Sequence, residues 1–453
     1  MIKYFFSGIA LATLLAGGAL ADNNTVFLSQ DGDENAALIA QTGNGHIAGS
    51  TDQPITQNDD FNQIDVTQDN LSGRLDRRNT LGVGGNFSQR NLGVDQTGNR
   101  NALTVDQRLQ SRIFMVQQDS SGAANTPAGP TNVATLTQTG NMRINQVMQT
   151  YTGDGTTGTE NTLTIVQTGG QFQRSWIGDP DGLSNLNRGA FQTGASHDMT
   201  LTQTGPNNAI RRAAQFGTGQ DMTVSQSGSR NLVRRAVQRG ADNSLVLSFD
   251  GDNNGRRSLT EGAGAPGLGR ATYVQRGSGN YAGLDVMGDN NGSAIFQWGD
   301  GNEIGSSMEM ALSITGNGNQ FAVSQTGADN DVAVSAFVGS RNVIGVQQTG
   351  DRNDLTLSVL GNRNGGFRSF TVGGDADIGL TPGFIDQNGN DNEIDLTVDG
   401  NGNVFTMLQD GNNNTITGLQ DGNNNEAAIS QVGAGHNTTF WQIGNNNVLG
   451  VTQ

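Results

Sequence analysis

The amino-acid sequence predicts an all-β protein, a β-solenoid built of stacked strand-turn-strand rungs. Three observations predict this fold. A template of 11 residues recurs along the chain, each copy contains a short run of alternating apolar residues, and each copy contains a turn rich in glycine and asparagine. A fixed short period is the signature of a stacked repeat architecture, so the repeat decides how the rest of the sequence is interpreted.

The repeat is clearest from Gln387 to Gln453, where copies of the template follow one another every 11 residues. The template reads Gln-x-Gly-x-x-Asn-x-Φ-x-Φ-x-Gln, with Φ usually apolar, and the copy from Gln420 to Gln431 contains it in full. After the asparagine the side chains alternate, which indicates a strand with one buried face. One copy is therefore a strand plus a turn, and two copies make a closed rung of about 22 residues.

The glutamine and asparagine positions are predicted to form ladders. Rungs about 4.8 Å apart place the same template position of successive rungs one above another, so side-chain amides bond along the stack. At Phe249, Phe337, Val359 and Val398 the glutamine position is apolar, so it is expected to face inward and to accept either kind of side chain. The predicted ladder residues are Gln30, Gln41, Gln96, Asn101, Gln107, Gln203, Gln226, Gln325, Gln348, Gln409, Asn414, Gln420, Asn425, Gln431, Gln442, Asn447 and Gln453.

The turn of the template depends on glycine, which reaches backbone conformations that other residues adopt only at a cost. The predicted turn glycines are Gly32, Gly98, Gly411, Gly422 and Gly444. The spacing is not uniform, because 11 residues separate Gln192 from Gln203 and 12 separate Gln203 from Gln215. We interpret the extra residue of this longer rung as a β-bulge in one strand.

The composition by itself favours disorder. Only 33% of the residues are hydrophobic, 67 are glycine, and the formal net charge is −17. The periodicity outweighs this indication, because a slim solenoid needs only about two apolar side chains per copy. The chain has no cysteine, which excludes disulfides and thiol chemistry.

The first 21 residues have the pattern of a secretory signal peptide. Lys3 precedes an apolar stretch, and Ala19-Leu20-Ala21 forms a small-x-small cleavage site. A membrane anchor is the alternative, although the apolar stretch is short. The template resumes directly after this segment and is complete at Gln453, so we expect terminal strands without polar caps, which present open edges.

Residues 22–453 are predicted to be the repeat region, interrupted by surface insertions. Six of the seven prolines fall in these breaks, which agrees with the exclusion of proline from a hydrogen-bonded ladder. We predict one long solenoid, with a jointed set of shorter ones as the alternative. The insertions are expected near residues 49–56, 119–132, 150–160, 172–187, 256–274 and 364–386.

No constellation of catalytic residues is visible in the sequence. His46, His197 and His436 all replace the template asparagine in distant rungs, so we interpret them as polar turn residues rather than as ligands or catalysts. Aspartates in the turns suggest a calcium-binding β-roll, but that motif repeats every nine residues. Lys3 is the only lysine, and no G-x-S-x-G motif occurs. We therefore predict a protein that is not an enzyme, with no cofactor and no metal site.

The arginines are unevenly distributed on this acidic chain. Four of them are separated by the length of the longer rung, and three others flank them, so stacking is expected to align them in a positive stripe. This stripe is a candidate site for an anionic polymer, and the alternative is an exposed bulge whose arginines meet aspartate or water. The four spaced arginines are Arg188, Arg211, Arg234 and Arg257, and the flanking ones are Arg212, Arg235 and Arg256.

The template resembles the curlin-associated repeat of bacterial curli subunits, most closely in Gln96–Gln107, Gln409–Gln420 and Gln420–Gln431. The resemblance implies a secreted subunit of extracellular, pilus-like amyloid fibres that serves in cell adhesion and biofilm matrix. The implied partners are further copies of the chain, other curlin-type subunits and an outer-membrane export channel, with no specific nucleic acid. The competing hypothesis is a monomeric surface adhesin or a ligand- or calcium-binding β-solenoid.

Overall fold

The computed structural model describes residues 6–7, 11–15, 24–50, 54–69, 79–81, 94–120, 131–152, 160–169, 175–178, 189–260, 269–305, 312–367, 369–370 and 380–453. These residues form strands and turns, and none of them lies in a helix long and apolar enough to cross a membrane. The chain divides into two compact units, unit 1 from Met1 to Ser229 and unit 2 from Arg230 to Gln453.

Unit 1 consists of short strands that follow the template. Its strands are β1 (Phe6–Ser7), β2 (Leu11–Leu15), β3 (Thr25–Val26), β4 (Leu28–Asp31), β5 (Ala36–Thr42), β6 (Ile47–Ala48), β7 (Ile55–Asn58), β8 (Gln63–Asp69), β9 (Thr80–Leu81), β10 (Val94–Gly98), β11 (Asn101–Arg108), β12 (Arg112–Ile113), β13 (Val116–Ser120), β14 (Asn132–Thr139), β15 (Met142–Ile144), β16 (Val147–Tyr151), β17 (Asn161–Thr168), β18 (Ser175–Ile177), β19 (Gly189–Ala195), β20 (Asp198–Thr204), β21 (Ala209–Ile210), β22 (Arg212–Thr218) and β23 (Asp221–Ser227).

The strands of unit 1 pair in parallel across rungs and form three sheets. The first sheet contains β1, β4, β7, β10, β13, β16, β19 and β22. The second contains β2, β5, β8, β11, β14, β17, β20 and β23. The third is narrow and contains β3, β6, β9, β12, β15, β18 and β21. The chain thus visits the three sheets in turn, once per rung.

Unit 2 begins with one short strand and then alternates between two sheets. Its strands are β24 (Leu232–Val233), β25 (Arg235–Ala241), β26 (Ser244–Asp250), β27 (Thr272–Ser278), β28 (Tyr281–Met287), β29 (Gly292–Trp298), β30 (Glu303–Ile304), β31 (Leu312–Thr315), β32 (Gln320–Thr326), β33 (Asp331–Val338), β34 (Val343–Thr349), β35 (Asp354–Leu360), β36 (Phe384–Asn388), β37 (Glu393–Asp399), β38 (Val404–Asn412), β39 (Thr415–Asp421), β40 (Glu426–Ala434), β41 (Asn437–Ile443) and β42 (Val448–Thr452).

The two sheets of unit 2 are also parallel. One contains β25, β27, β29, β32, β34, β36, β38, β40 and β42. The other contains β26, β28, β30, β31, β33, β35, β37, β39 and β41. Apart from β30 and β31, which lie in the same sheet, consecutive strands from β25 onward alternate between the sheets, which confirms the predicted all-β solenoid fold.

The predicted rung of about 22 residues is found in the C-terminal part of unit 2. Gln409 pairs in register with Gln431, and Gln420 pairs with Gln442, each 22 residues further along the chain. Other rungs are longer, since 39 residues separate Gln68 from its register partner Gln107. The central residues of the predicted insertions, 51–53, 121–130, 153–159, 179–187, 261–268 and 371–379, lie outside the described residues.

The extra residue of the 23-residue rung does not lie where we predicted it. Arg211 separates β21 from β22, so the additional residue is absorbed where the chain passes from the third sheet of unit 1 to the first. A residue between two sheets leaves both ladders intact, whereas a bulge would interrupt one of them. A register shift inside a strand occurs in β33 instead, between Val334 and Ala336.

The core is a set of inward-facing columns rather than a central cluster. In β35 the buried and exposed positions alternate, and Leu355, Leu357 and Val359 are completely buried. Leu357 pairs in register with Val334 on one side and with Leu396 on the other. Each rung buries few apolar side chains, but the stack joins them into one continuous column.

Truncation inside such a column should therefore destabilise the solenoid. We expect Leu357→Ala to lower the free energy of unfolding by about 3 kcal/mol, because it leaves a cavity between two fixed rungs. Urea unfolding at constant pH measures the effect. Thr356→Ala, on the outer face of the same strand, is the matched control, with an expected change within about 0.5 kcal/mol. Equal unfolding midpoints for the two variants would contradict the assignment of this column to the core.

Candidate functional site

The most regular feature of the molecule is a continuous ladder of buried glutamine amides. In unit 1 the Nε2 of each glutamine donates to the Oε1 of the glutamine one rung further on, at 2.6–3.1 Å. The column in the first sheet contains Gln30, Gln57, Gln96, Gln118, Gln149, Gln192 and Gln215. The column in the second sheet contains Gln41, Gln68, Gln107, Gln138, Gln167, Gln203 and Gln226.

Unit 2 contains the same ladder in one sheet and a mixed column in the other. The amide bonds of the first column measure 2.8–3.2 Å. Its members are Gln238, Gln275, Gln297, Gln325, Gln348, Gln387, Gln409, Gln431 and Gln453. The equivalent column of the other sheet is apolar, with Phe337, Val359 and Val398 in register, until Gln420 donates to Gln442 at 2.8 Å.

Some ladder glutamines, such as Gln325, also bond backbone oxygens of the facing sheet. Gln325 Nε2 donates to Gln348 Oε1 and also contacts two backbone oxygens, those of Glu303 and Asn330, each at 2.9 Å. Asn330 follows the turn between β32 and β33, so the amide holds that turn closed. Because both sides of the amide have partners, the side chain is buried without an unpaired polar group.

The template asparagines form a second ladder that involves the backbone. Asn353 N donates to Asn330 Oδ1 at 3.1 Å, and Asn330 Nδ2 donates to the carbonyl oxygen of Gly350 at 2.7 Å. The predicted residues follow this arrangement, since Asn425 Oδ1 accepts from Asn447 N at 3.0 Å. Asn101 and Asn414 likewise donate their backbone N–H to the asparagine one rung back.

The three histidines occupy the asparagine position and imitate its bonding. The Nε2–H of His46, His197 and His436 donates to the carbonyl oxygen four residues earlier, at 2.9, 3.1 and 3.1 Å. Burial lowers the pKa of His46 and of His197, and the bonds to the backbone oppose that shift. The three histidines lie in separate rungs. Among the described residues no group of three potential metal ligands comes together.

The turn glycines all adopt positive φ. The values are 105° at Gly32, 80° at Gly98, 136° at Gly411, 119° at Gly422 and 106° at Gly444. At Gly422 a Cβ atom would overlap the carbonyl oxygen of Gly444 in the next rung. Glycine is needed here for two reasons, because L side chains rarely adopt this conformation and because the stacked turn leaves no space.

Within unit 2 the structure does not stack Arg257 on Arg234, as the predicted arginine stripe requires. Arg188 lies outside the described residues, and Arg211 belongs to unit 1. In unit 2, Arg234 N donates to the carbonyl oxygen of Ala271 at 2.9 Å, so Ala271 rather than Arg257 is its neighbour in the next rung. Arg257 instead donates from Nη1 to the carbonyl oxygen of Gly318. The insertion that begins near residue 256 displaces Arg257 from the column, which the spacing of 23 residues alone does not reveal.

One column of acidic residues on the outer face of unit 2 was not predicted from the sequence. Glu303, Asp331, Asp354 and Glu393 are register partners in successive strands, and we call them the acidic ladder. Burial, then repulsion by Asp354 and Glu303, raises the pKa of Asp331 to about 6. Burial, then repulsion by Glu393 and Asp395, raises the pKa of Asp354. The sequence does not reveal that these four residues stack, because the stretches of sequence between them differ in length.

The strands β41 and β42 form one edge of unit 2. Among the described strands, β41 pairs only with β39 and β42 only with β40. Gln442 accepts from Gln420, and its own Nε2 donates to the carbonyl oxygen of Glu426. The outward side chains of Trp441 and Ile443 are 72% and 70% exposed.

The fold and its ladders define a class of protein, the parallel β-solenoid stabilised by stacked amides. A family model described as the curlin associated repeat matches residues 21–49 and residues 422–453. Unit 1 and unit 2 thus each contain a segment that matches the curlin associated repeat. No curated protein matches the chain.

Interruption of the amide ladder should be costly. We expect Gln325→Met to lower the free energy of unfolding by about 2–4 kcal/mol, because Gln297 Nε2 and Gln348 Oε1 lose a partner while buried. Chemical denaturation measures this loss. Gln347→Met, on the outer face of β34, is the control and should change stability by less than about 0.5 kcal/mol. A Gln325→Met protein as stable as the control would show that the ladder does not stabilise the rung.

The acidic ladder should make unit 2 less stable as the pH rises. The pKa of Asp331 is about 6 in the folded chain, against an ordinary value of 3.8 for an aspartate in water, so its contribution to stability is complete below pH 4 and is lost as the pH rises through 6. We expect Asp331→Asn to be more stable than the wild type at pH 7 and to show a smaller loss between pH 4 and pH 7. Thermal unfolding across this range is the measurement.

The control for this pH dependence is Asp329→Asn, which removes the exposed carboxylate of the preceding turn. This variant should follow the wild-type pH profile. If Asp331→Asn and Asp329→Asn change the profile equally, the effect comes from net charge and not from the ladder.

Proposed function

We propose that the chain is a secreted structural subunit of curli-like extracellular amyloid fibres, which serve in cell adhesion and biofilm matrix. The observation that supports this most directly is the in-register glutamine ladder. Within each unit, successive rungs are joined by amide bonds in at least one column and by backbone hydrogen bonds, so a rung of a second chain can be added through the contacts that already join the rungs of one chain. The curlin associated repeats in both units support the same role.

The ladder also defines the direction of growth that we propose. In each glutamine pair of the ladder described above, the Nε2 donates toward the C-terminal rung, for example from Gln409 to Gln431. The C-terminal edge of a stack therefore offers amide donors and the N-terminal edge offers amide acceptors. Head-to-tail addition continues this arrangement, whereas head-to-head addition would bring two donors or two acceptors together.

The proposed route to the cell surface follows from the sequence. Cleavage after Ala21 would remove a signal peptide that includes β1 and β2, and leave a mature chain of residues 22–453. We further propose export through an outer-membrane channel and assembly with further copies or other curlin-type subunits. The role is structural, and we propose no catalytic activity.

Fibre growth by the purified mature chain tests this function. After removal of denaturant we expect filaments with a meridional reflection near 4.7 Å, and a dye-binding lag that preformed seeds abolish. We also expect Gln442→Glu to elongate roughly tenfold more slowly, because a carboxylate cannot donate to the incoming rung.

The matched control for the elongation assay is Gln63→Glu, which introduces the same charge at an exposed position of β8 whose register partners are Ala36 and Ala102. It should elongate at the wild-type rate. A folded wild-type monomer that never elongates, even with seeds, would refute the fibre function and favour a monomeric adhesin or ligand-binding solenoid.

A further inference from the structure

The outer face of β25, β27 and β29 gathers arginine and tryptophan in register. Arg239 pairs with Arg276, and Arg276 pairs with Trp298. The guanidinium of Arg276 lies 5.6 Å from the centroid of the Trp298 ring, and Trp298 is 55% exposed. Together with Arg235 these residues form the arginine face. Arginine and tryptophan are the side chains that most often dominate the energetics of protein interfaces.

The guanidinium groups of this face are close enough to repel one another. Burial, then the positive charges of Arg276 and Arg239, lowers the pKa of Arg235. The Nε atoms of Arg235 and Arg276 are both buried, and neither has a hydrogen-bond partner within the part of the chain that the structure describes. Like charges in register destabilise a sheet, and a partner of opposite charge would relieve this repulsion. The face is therefore suited to bind an acidic surface.

The acidic ladder of the same unit provides a surface of that kind. Glu303, Asp331, Asp354 and Glu393 lie on the outer face of the other sheet, one carboxylate per rung. Because both faces belong to parallel sheets, guanidinium groups and carboxylates recur at the same interval of about 4.8 Å. Two copies can therefore pair charge with charge over successive rungs.

We propose that the arginine face of one copy docks on the acidic ladder of a second copy and joins neighbouring filaments side by side. The two faces lie on different sheets, so the contact is heterologous and repeats from copy to copy. The arginine face begins at β25, two rungs before the acidic ladder begins at β30, which predicts a stagger of roughly 10 Å. This inference deepens the proposed function and rests on it for the existence of the filament.

A second copy explains the face better than an unrelated polyanion does. The chain has a net charge of −17, and the arginine face is a positive region on an acidic molecule. The complementary surface, the acidic ladder, is present on the same chain, and its carboxylates recur at the same interval as the guanidinium groups. In a growing fibre that complement is also present at high local concentration.

The experiment compares lateral association with elongation. Filament width by electron microscopy and pair formation of the soluble mature chain by sedimentation velocity report the lateral contact, and seeded dye binding reports elongation. We expect bundles at about 20 mM salt that separate at about 500 mM, since salt screens exposed charges. The triple variant Arg235→Gln/Arg239→Gln/Arg276→Gln should weaken pairing at least tenfold at about 20 mM salt while seeded elongation stays unchanged.

A variant of the opposite face tests complementarity. Glu303→Gln/Asp331→Asn/Asp354→Asn/Glu393→Gln should also fail to pair with itself. The arginine variant retains an acidic ladder and the acidic variant retains an arginine face, so a mixture of the two should restore pairs. Arg341→Gln/Arg352→Gln/Arg363→Gln is the charge-matched control, because it removes three exposed arginines from the turns of the same unit.

The outcomes separate this inference from the proposed function. The lateral contact would be overturned if the arginine variant bundles as much as the wild type does. It would also be overturned if the mixture of the two variants does not restore pairs, even when elongation is normal. If the wild type does not elongate, sedimentation velocity still decides whether soluble chains pair through these faces. Wild-type chains that bind an anionic polysaccharide through the arginine face, but never each other, would also overturn the proposal.

Discussion

The hydrogen bond from one buried glutamine amide to the next is the interaction on which the rest of the structure depends. Gln325 illustrates this, since its Nε2 donates to Gln348 in the next rung and to the backbone oxygen of Asn330 in its own rung. An amide carries both a donor and an acceptor, so identical residues can bond when they are stacked. This property lets a chain that is only 33% hydrophobic bury glutamine at most inward ladder positions with its amide hydrogen-bonded. Gln420 shows the converse, because its register partner on one side is Val398 and its buried Oε1 has no partner among the described residues.

Stacking in register has the opposite effect on charged residues. Each side chain meets the residue at the same template position in the next rung, so amides gain a partner while carboxylates or guanidinium groups gain a repulsive neighbour. The acidic ladder shows this cost, since burial and then repulsion by Asp354 and Glu303 raise the pKa of Asp331. The bonding of the amides and the repulsion of the carboxylates thus have one origin, the parallel register of the sheets.

Much of the fold can be predicted from the sequence because the repeat is local. The alternation in each copy predicts which face of a strand is buried, and the glutamine at the end of each copy predicts the ladder. The third sheet of unit 1 was not predicted, because strands such as Ala209–Ile210 contain only two residues and carry no measurable period. The stacking of charged residues was also incompletely predicted. Insertions of unequal length change the spacing between rungs, so the sequence does not show which charged residues become register partners.

The sequence by itself therefore determined the all-β class, the inward amides, the turn glycines and the polar role of the three histidines. Each of these depends on residues within one 11-residue copy. Only the tertiary structure decided which copies are neighbours, because register depends on hydrogen bonds between strands separated by 22 residues in one place and 39 in another. This pairing places Ala271 beside Arg234, and it places Asp331 between Glu303 and Asp354. Neither arrangement can be read from the sequence within a single copy of the template.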